Sequence, residues 1–298
     1  MAFETVKGFT DFIGEEALKR ERIREILVKN FEEFGFEPAE TPIVEYEDFV
    51  KGENSNDEAV SDIFKLQDKG DRKLALRYEF TFQLKRIANN KKLPFKRYQI
   101  GPVFRDEPVS SNRFRQFTQC DIDIVGSTIK EEAECLACFS KICNELGLEP
   151  EIQVNNRKMM NSLIKSFGIE YTPFVLKEID KLDKIGEDAV KSNLGKEISK
   201  DKVVDLFKAL QRPLTAFKNL EGYKELKELI TLGEFYKINL KFSPTLARGL
   251  SYYNGNVFEI KTKSVKDTIA GGGSYSVNNL LATGVSFGLE RLSSLAKL

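Results

Sequence analysis

Apolar positions change period several times along the chain, and each change marks a new element. Leu18, Ile23, Ile26, Leu27, Phe31 and Phe34 recur at helical spacing with charges between them. They predict a helix over residues 15–33, with Gly35 as its C-terminal cap. Thr41-Pro42 ends the preceding element, because a residue before proline is pushed out of the helical region, and Ile43, Val44 and Tyr46 start an extended piece. Residues 51–62 are polar without a period and read as a mobile loop able to order over a substrate. Short strands are predicted at 63–66 and 74–78, split by a turn at 68–71, with a helix over 79–90.

The longest extended signal covers 95–126. Tyr98, Ile100, Val103 and Phe104 form one run; Ile122, Ile124 and Val125 belong to another, in which Asp121 and Asp123 alternate with the apolar residues. Residues 106–112, with Pro108, read as the loop between the two. A cysteine-bearing helix is predicted at 131–146, ending at Gly147, followed by a strand at 151–155. Residues 156–232 are rich in Lys and Glu and keep a helical period, so they read as an inserted helical module. The first domain, 1–155, then resumes over 233–298. That part contains a strand at 237–242, a hairpin signal where Tyr252-Tyr253 precede Asn254-Gly255, and a strand running into a helix over 284–292.

Length supports this plan: 298 residues suit one large domain with a smaller insertion. Lys plus Arg and Asp plus Glu both number 46, so contact with nucleic acid has to come from a local patch. No apolar signal core or membrane-length run occurs, and free thiols suit a reducing cytoplasm. Cys135 and Cys138 form a CxxC, which reads either as a metal or redox pair or as buried thiols on an amphipathic helix; no second pair stands at zinc spacing. The chain has no His, which excludes a histidine general base, a Ser–His–Asp triad and any His-ligated metal. Chemistry has to run on Arg, Lys, carboxylates, Tyr, backbone amides and bound ions. Nucleotidyl transfer by positioning and charge stabilisation meets that condition.

The 95–126 hairpin concentrates such groups. Arg105, Arg113 and Arg115 flank its loop, and arginine forks suit phosphate; the plain alternative is a solvated surface. Asp121 and Asp123, two residues apart on a strand, share a face. A cationic loop over an acidic floor suits a substrate carrying both a phosphate and a basic group.

The wording of this stretch, FRDEP…RFRQFTQCDIDIVG, resembles motif 2 of class II aminoacyl-tRNA synthetases and, within the class, the histidyl-tRNA synthetases. LARGLSYYNGNVFE resembles the histidine A motif of that family, AGGGSYS its histidine B motif, a loop whose glycines let backbone approach the ligand, and GVSFGLERL motif 3; the Gly35 to Pro42 region resembles motif 1, and LRYEFT the element that takes the substrate's ammonium. The resemblance implies an α+β class II fold: a mostly antiparallel sheet flanked by helices, with an inserted helical module, dimeric through the motif 1 region. It implies histidine, ATP with Mg²⁺ and the acceptor end of histidine tRNA as substrates, no structural metal, and a cytoplasmic ligase that forms histidyl-adenylate.

Residue by residue, the resemblance makes Arg105 and Arg248 catalytic. Glu79 and Thr81 would take the α-ammonium, although Glu79 also suits a plain helix N-terminal turn. Gln119, Asp123, Tyr252 and Tyr253 would hold histidine, the tyrosine pair otherwise being sheet packing. Arg105, Glu107, Arg113 and Arg291 would hold ATP. Ser251, Ser274 and Ser276 depart from the family motifs. The family's anticodon-binding domain is expected to be absent, leaving a catalytic core. The rivals are a non-catalytic paralogue, such as the regulatory subunit of ATP phosphoribosyltransferase, and a tRNA-binding fragment without turnover.

Overall fold

The computed structural model describes residues 3–52, 60, 62–110, 113–248, 252–262 and 265–298. Most of the loop expected at 51–62, the end of the one at 106–112 and the Ser251 position lie outside the described residues.

Helix α1 (Gly14–Glu33) follows the predicted stripe: Ile23, Leu27 and Phe31 are buried, whereas Leu18 is 62% exposed. Gly35 sits at φ +78°, and beyond it the Phe36 amide donates to the Phe31 carbonyl at 2.9 Å, a helix end that a left-handed glycine permits. β1 (Glu37–Pro38), β2 (Val44–Tyr46) and the short helix α2 (Glu47–Lys51) come next. β3 (Lys65–Gln67) and β4 (Lys73–Leu76) complete a three-stranded antiparallel sheet ordered β2-β4-β3. α3 (Thr81–Ile87) is shorter than the expected 79–90: Glu79 precedes its first turn, and Asn90 lies outside the helical region at φ +59°.

β5 (Phe95–Phe104) and β6 (Gln116–Val125) form the predicted hairpin, in register from Phe95↔Val125 to Phe104↔Gln116. α4 (Ile129–Glu145) opens on a capping box between Thr128 and Glu131. Cys135, Cys138 and Cys143 of α4, like Cys120 of β6, are fully buried free thiols, as the amphipathic reading expects. After β7 (Pro150–Asn156) come α5 (Arg157–Ser166), α6 (Thr172–Ile179), α7 (Leu182–Ile185), α8 (Glu187–Leu194), α9 (Lys200–Leu210) and α10 (Tyr223–Phe235). Then β8 (Leu240–Phe242), β9 (Asn256–Thr262), β10 (Val265–Val277), β11 (Leu280–Gly288) and α11 (Leu289–Leu295) close the chain.

The main sheet has eight strands in the order β1-β5-β6-β11-β10-β9-β7-β8. Only β1·β5 and β7·β8 are parallel, so the sheet is mostly antiparallel. Strand alternation divides its faces. Ile122, Ile124, Val285, Phe287, Phe258 and Ile260 face one core with Leu27, Phe31, Leu136, Phe139 and Leu292. That core runs on without a break into the helical stretch through Val175, Leu194, Leu206 and Phe217. The opposite face carries Gln119, Asp121 and Asp123. Among the described residues no helix is long and apolar enough to cross a membrane.

Two local expectations fail. Asn254-Gly255 does not turn a hairpin: no positive φ occurs at either residue, and a tight hairpin turn needs one. Instead the Asn254 amide donates to the Ser274 carbonyl at 2.9 Å, and the Gly255 carbonyl accepts from the Arg157 amide at 2.7 Å. The Gly271 to Gly273 run is not a loop either but the middle of β10, where missing Cβ atoms admit neighbouring side chains.

Candidate active site

The floor of the site is built by β5, β6 and β11. Asp121 and Asp123 project from β6 and are buried. Arg97, opposite Asp123 in the β5–β6 ladder, brings Nη2 to 2.8 Å from Asp123 Oδ2. Tyr275 of β10 donates its hydroxyl to Asp123 Oδ1. On β11 the neighbour of Asp123 is Gly284, where a Cβ would fall 2.2 Å from Asp123 Oδ1. Gln119 Nε2 donates to Asp121 Oδ2 at 2.9 Å. Burial pushes the Asp121 carboxyl up to about 7, with Asp123 adding to the shift and Arg97 opposing it. Burial raises Asp123 as well, against the pull of Arg97 and the Tyr275 hydrogen bond.

Glu79 enters from the turn before α3. It is hydrogen-bonded to Thr81, and burial raises its carboxyl to about 7, with Asp121 adding and Arg105 opposing. Tyr252 also bonds Thr81, and its ring centroid lies 4.8 Å from that of Tyr253 and 5.5 Å from that of Tyr275. Burial raises all three phenols, so near neutral pH they remain protonated donors. Thr81, Asp121, Asp123 and the three tyrosines enclose a cavity of about 20 Å³.

A far larger cleft, of about 1980 Å³, meets this cavity at Thr81, Tyr252, Tyr253, Gly271 and Ser286. Arg105 stands at the junction: Nε donates to the Tyr78 carbonyl at 3.1 Å, Nη2 lies 3.5 Å from Gln119 Oε1, and the guanidinium rests 5.0 Å from the Phe117 ring centroid. Glu107 lies 4.0 Å from Arg105 and 3.6 Å from Arg113, whose side chain is 58% exposed. Arg115 does not line the cleft; it pairs with Asp106 at 3.1 Å.

Arg248 comes from the opposite wall. Arg157 fixes that segment by donating Nη1 to the Ala247 carbonyl at 2.9 Å. Arg248 has φ +56°, an uncommon state for a residue with a side chain. Its guanidinium lies over Gly271, where a Cβ would fall 2.3 Å from Nη1, and it bonds Tyr253. Its buried Nε has no hydrogen-bond partner among the described residues. Arg291, at the start of α11, donates Nη1 to the Thr268 carbonyl. Beside it, Glu290 accepts the Thr118 amide on both oxygens at 3.0 Å and pairs with Arg20 at 2.9 Å.

Every residue predicted for the site lines one of these two joined spaces. Sequence reasoning passed over Arg97, which looked like one more cation in a basic stretch. Counting an antiparallel ladder back from the loop read at 106–112 sets Arg97 against Asp121; only the observed register, with Phe104 against Gln116, sets it against Asp123. It also passed over the pair behind β10: buried Glu132 of α4 accepts from Ser274 Oγ at 2.5 Å and from Asn256 Nδ2 at 2.7 Å.

The family model described as histidyl-tRNA synthetase matches residues 8–292. Histidine–tRNA ligase 1 of Bacillus cereus is 38% identical over 97% of this chain and 76% of its own length. The crystal structure of histidyl-tRNA synthetase from Nostoc sp. superposes with a TM-score of 0.86 at 27% identity, over 99% of this chain and 75% of that one. A Bacillus halodurans structure titled ATP phosphoribosyltransferase regulatory subunit/histidyl-tRNA synthetase reaches the same TM-score of 0.86 at 20% identity, over 99% of this chain and 83% of that one, a likeness of fold alone. With the family model spanning nearly the whole chain, this protein belongs to the histidyl-tRNA synthetase family.

Proposed function

We propose that the chain is the catalytic core of a histidine–tRNA ligase, and that the joined cleft and cavity are where histidine is activated. A carboxylate oxygen of histidine attacks the α-phosphorus of ATP and pyrophosphate leaves; a hydroxyl of the terminal ribose of histidine tRNA then attacks the carbonyl carbon of the histidyl-adenylate, taking the histidyl group while AMP leaves. Glu79, supported by Thr81, holds the α-ammonium. Gln119, Asp123, Tyr252 and Tyr253 hold the imidazole end, where a buried carboxylate reads an N–H and disfavours an apolar analogue. Arg105 binds the substrate carboxylate and the α-phosphate. Arg248 meets the α-phosphate from the other side as its charge develops, a role suited to a buried guanidinium with an unfilled Nε. Glu107 takes the adenine amino group, Arg113 the distal phosphates, and Arg291 stacks on adenine.

The observation that carries this reading is the convergence of an acidic, tyrosine-walled cavity with Arg105, Arg113, Arg248 and Arg291 in one cleft. Mg²⁺ carried on ATP would neutralise phosphate charge. The donors fit a cation that arrives on phosphate: Glu107 and Glu290 are engaged by arginines, while Glu259, bonded by the Thr268 hydroxyl, lines the cleft. Residues 156–232 act as a module over the tRNA acceptor arm, and the exposed apolar side of β2 supports a homodimer.

The test is ATP–pyrophosphate exchange. It should require histidine, and Arg248→Ala should slow it by roughly a hundredfold or more. Histidine binding without exchange would sink the enzyme reading in favour of a regulatory paralogue.

A further inference from the structure

Arg97 is 0% exposed and ranks among the largest fully buried side chains of the molecule. Its guanidinium lies 2.8 Å from Asp123 Oδ2, yet none of its three nitrogens makes an aligned hydrogen bond among the described residues. The Phe80 ring centroid lies 6.0 Å from it. A charge buried with unfilled donors is expensive to keep, and replacing a buried ion pair by apolar side chains is often neutral for stability. Stability therefore explains this pair poorly.

Position explains it better. Arg97 sits behind Asp123, on the strand away from the cavity, and does not line the cavity itself. Resting on the functional reading above, we propose that Arg97 is a positioning residue for histidine recognition: it keeps Asp123 ionised and, by holding Oδ2, leaves Oδ1 and its donor Tyr275 to meet the imidazole.

The surroundings make such a device necessary. Asp123 faces Arg97 on β5, Asp121 on β6, which is itself bonded by Gln119, and Tyr275 on β10. Glu79 sits beside them before α3, and Cys135 of α4 feels Asp123 from across the sheet. Two further carboxylates thus crowd Asp123, and the thiol and phenol are neutral. Among the described residues Arg97 is the one cation facing it, so without Arg97 the carboxylate would ionise less readily. Arg105 stands at the far end of this group, where it acts on Glu79.

The test compares wild type, Arg97→Gln and Arg97→Lys in exchange assays from pH 6 to 9, varying histidine and ATP separately. Expected for Arg97→Gln is a rise of about tenfold or more in the KM for histidine at pH 7, with the KM for ATP within about twofold. The acid limb of kcat/KM for histidine should move to higher pH, because a carboxylate that loses its cation needs more alkaline conditions to ionise. Arg97→Lys, which keeps the charge but loses the planar fork, should recover most of the affinity with a smaller displacement of the limb.

A folded Arg97→Gln with unchanged histidine KM and limb overturns the proposal, and so do equal losses toward ATP and histidine. If Arg97→Gln does not fold, Arg97→Met, which removes the charge and refills the space with apolar atoms, decides: an unmoved histidine KM and limb overturns the proposal, and a histidine-specific loss supports it. Absence of histidine-dependent exchange in the wild type would instead overturn the functional reading on which the proposal rests.

Discussion

At the scale of single residues, the site is a set of carboxyls held away from their ordinary state. Burial puts Glu79, Asp121 and Glu132 each at about 7, well above a carboxyl in an unfolded chain. For a folded-state pKa raised in this way, the stabilisation is complete below the unfolded pKa and is lost as pH rises through the folded one. The free protein should therefore be more stable at pH 5 than at pH 8, its Tm falling by several degrees between them. Glu79→Gln, which cannot titrate, should flatten part of that slope. Thermal unfolding at a series of pH values checks this, and a Tm that is level or rising across the window would contradict it. The cavity can thus exist without its ligand because its acids share protons until a cationic group arrives.

At the scale of elements, β10 is the least legible stretch and the most consequential. Its glycine run reads as a flexible ligand loop, since glycine weakens a strand interior. The pairing partners make it a strand: β9 and β11 bond it on both sides, and the space a Cβ would take is already occupied. The two central glycines predict different outcomes. At Gly272 a Cβ would fall 1.9 Å from the Gly284 carbonyl oxygen, so Gly272→Ala should destabilise by about 2 kcal/mol or more, seen in denaturant unfolding. At Gly271 the obstacle is the end of the Arg248 side chain, so Gly271→Ala should remain folded and lose exchange activity instead. By contrast the hairpin of β5 and β6 was plain from alternation, and so was α1 from its stripe. Each such element needs only a periodic apolar face and a turn residue to declare itself.

At the scale of the whole molecule, the small sheet presents an apolar side outward. Val44 is 43% and Tyr46 59% exposed on β2, an edge strand. If this side supports the proposed dimer, Tyr46→Glu should shift the protein toward monomer in sedimentation analysis, and an unchanged dimer would place the interface elsewhere. The helical stretch from α5 to α10 reads from its period as an inserted module. Its buried side chains merge with the main core, because helices with one apolar stripe pack against whatever apolar surface lies next to them.

The sequence by itself determined the α+β class, the order of the principal helices and strands outside residues 37–51 and the Tyr252–Tyr275 region, the family, and a set of residues that line the joined cleft and cavity. Those depend on periodicity and on motifs that are local in the chain. Only the tertiary structure decided that Arg97 answers Asp123, that Ser274 answers Glu132, and that glycines in β10 make room for Arg248. These are pairings between strands or between strand and helix. They depend on register and on the removal of water, and neither is written in the neighbourhood of any one residue.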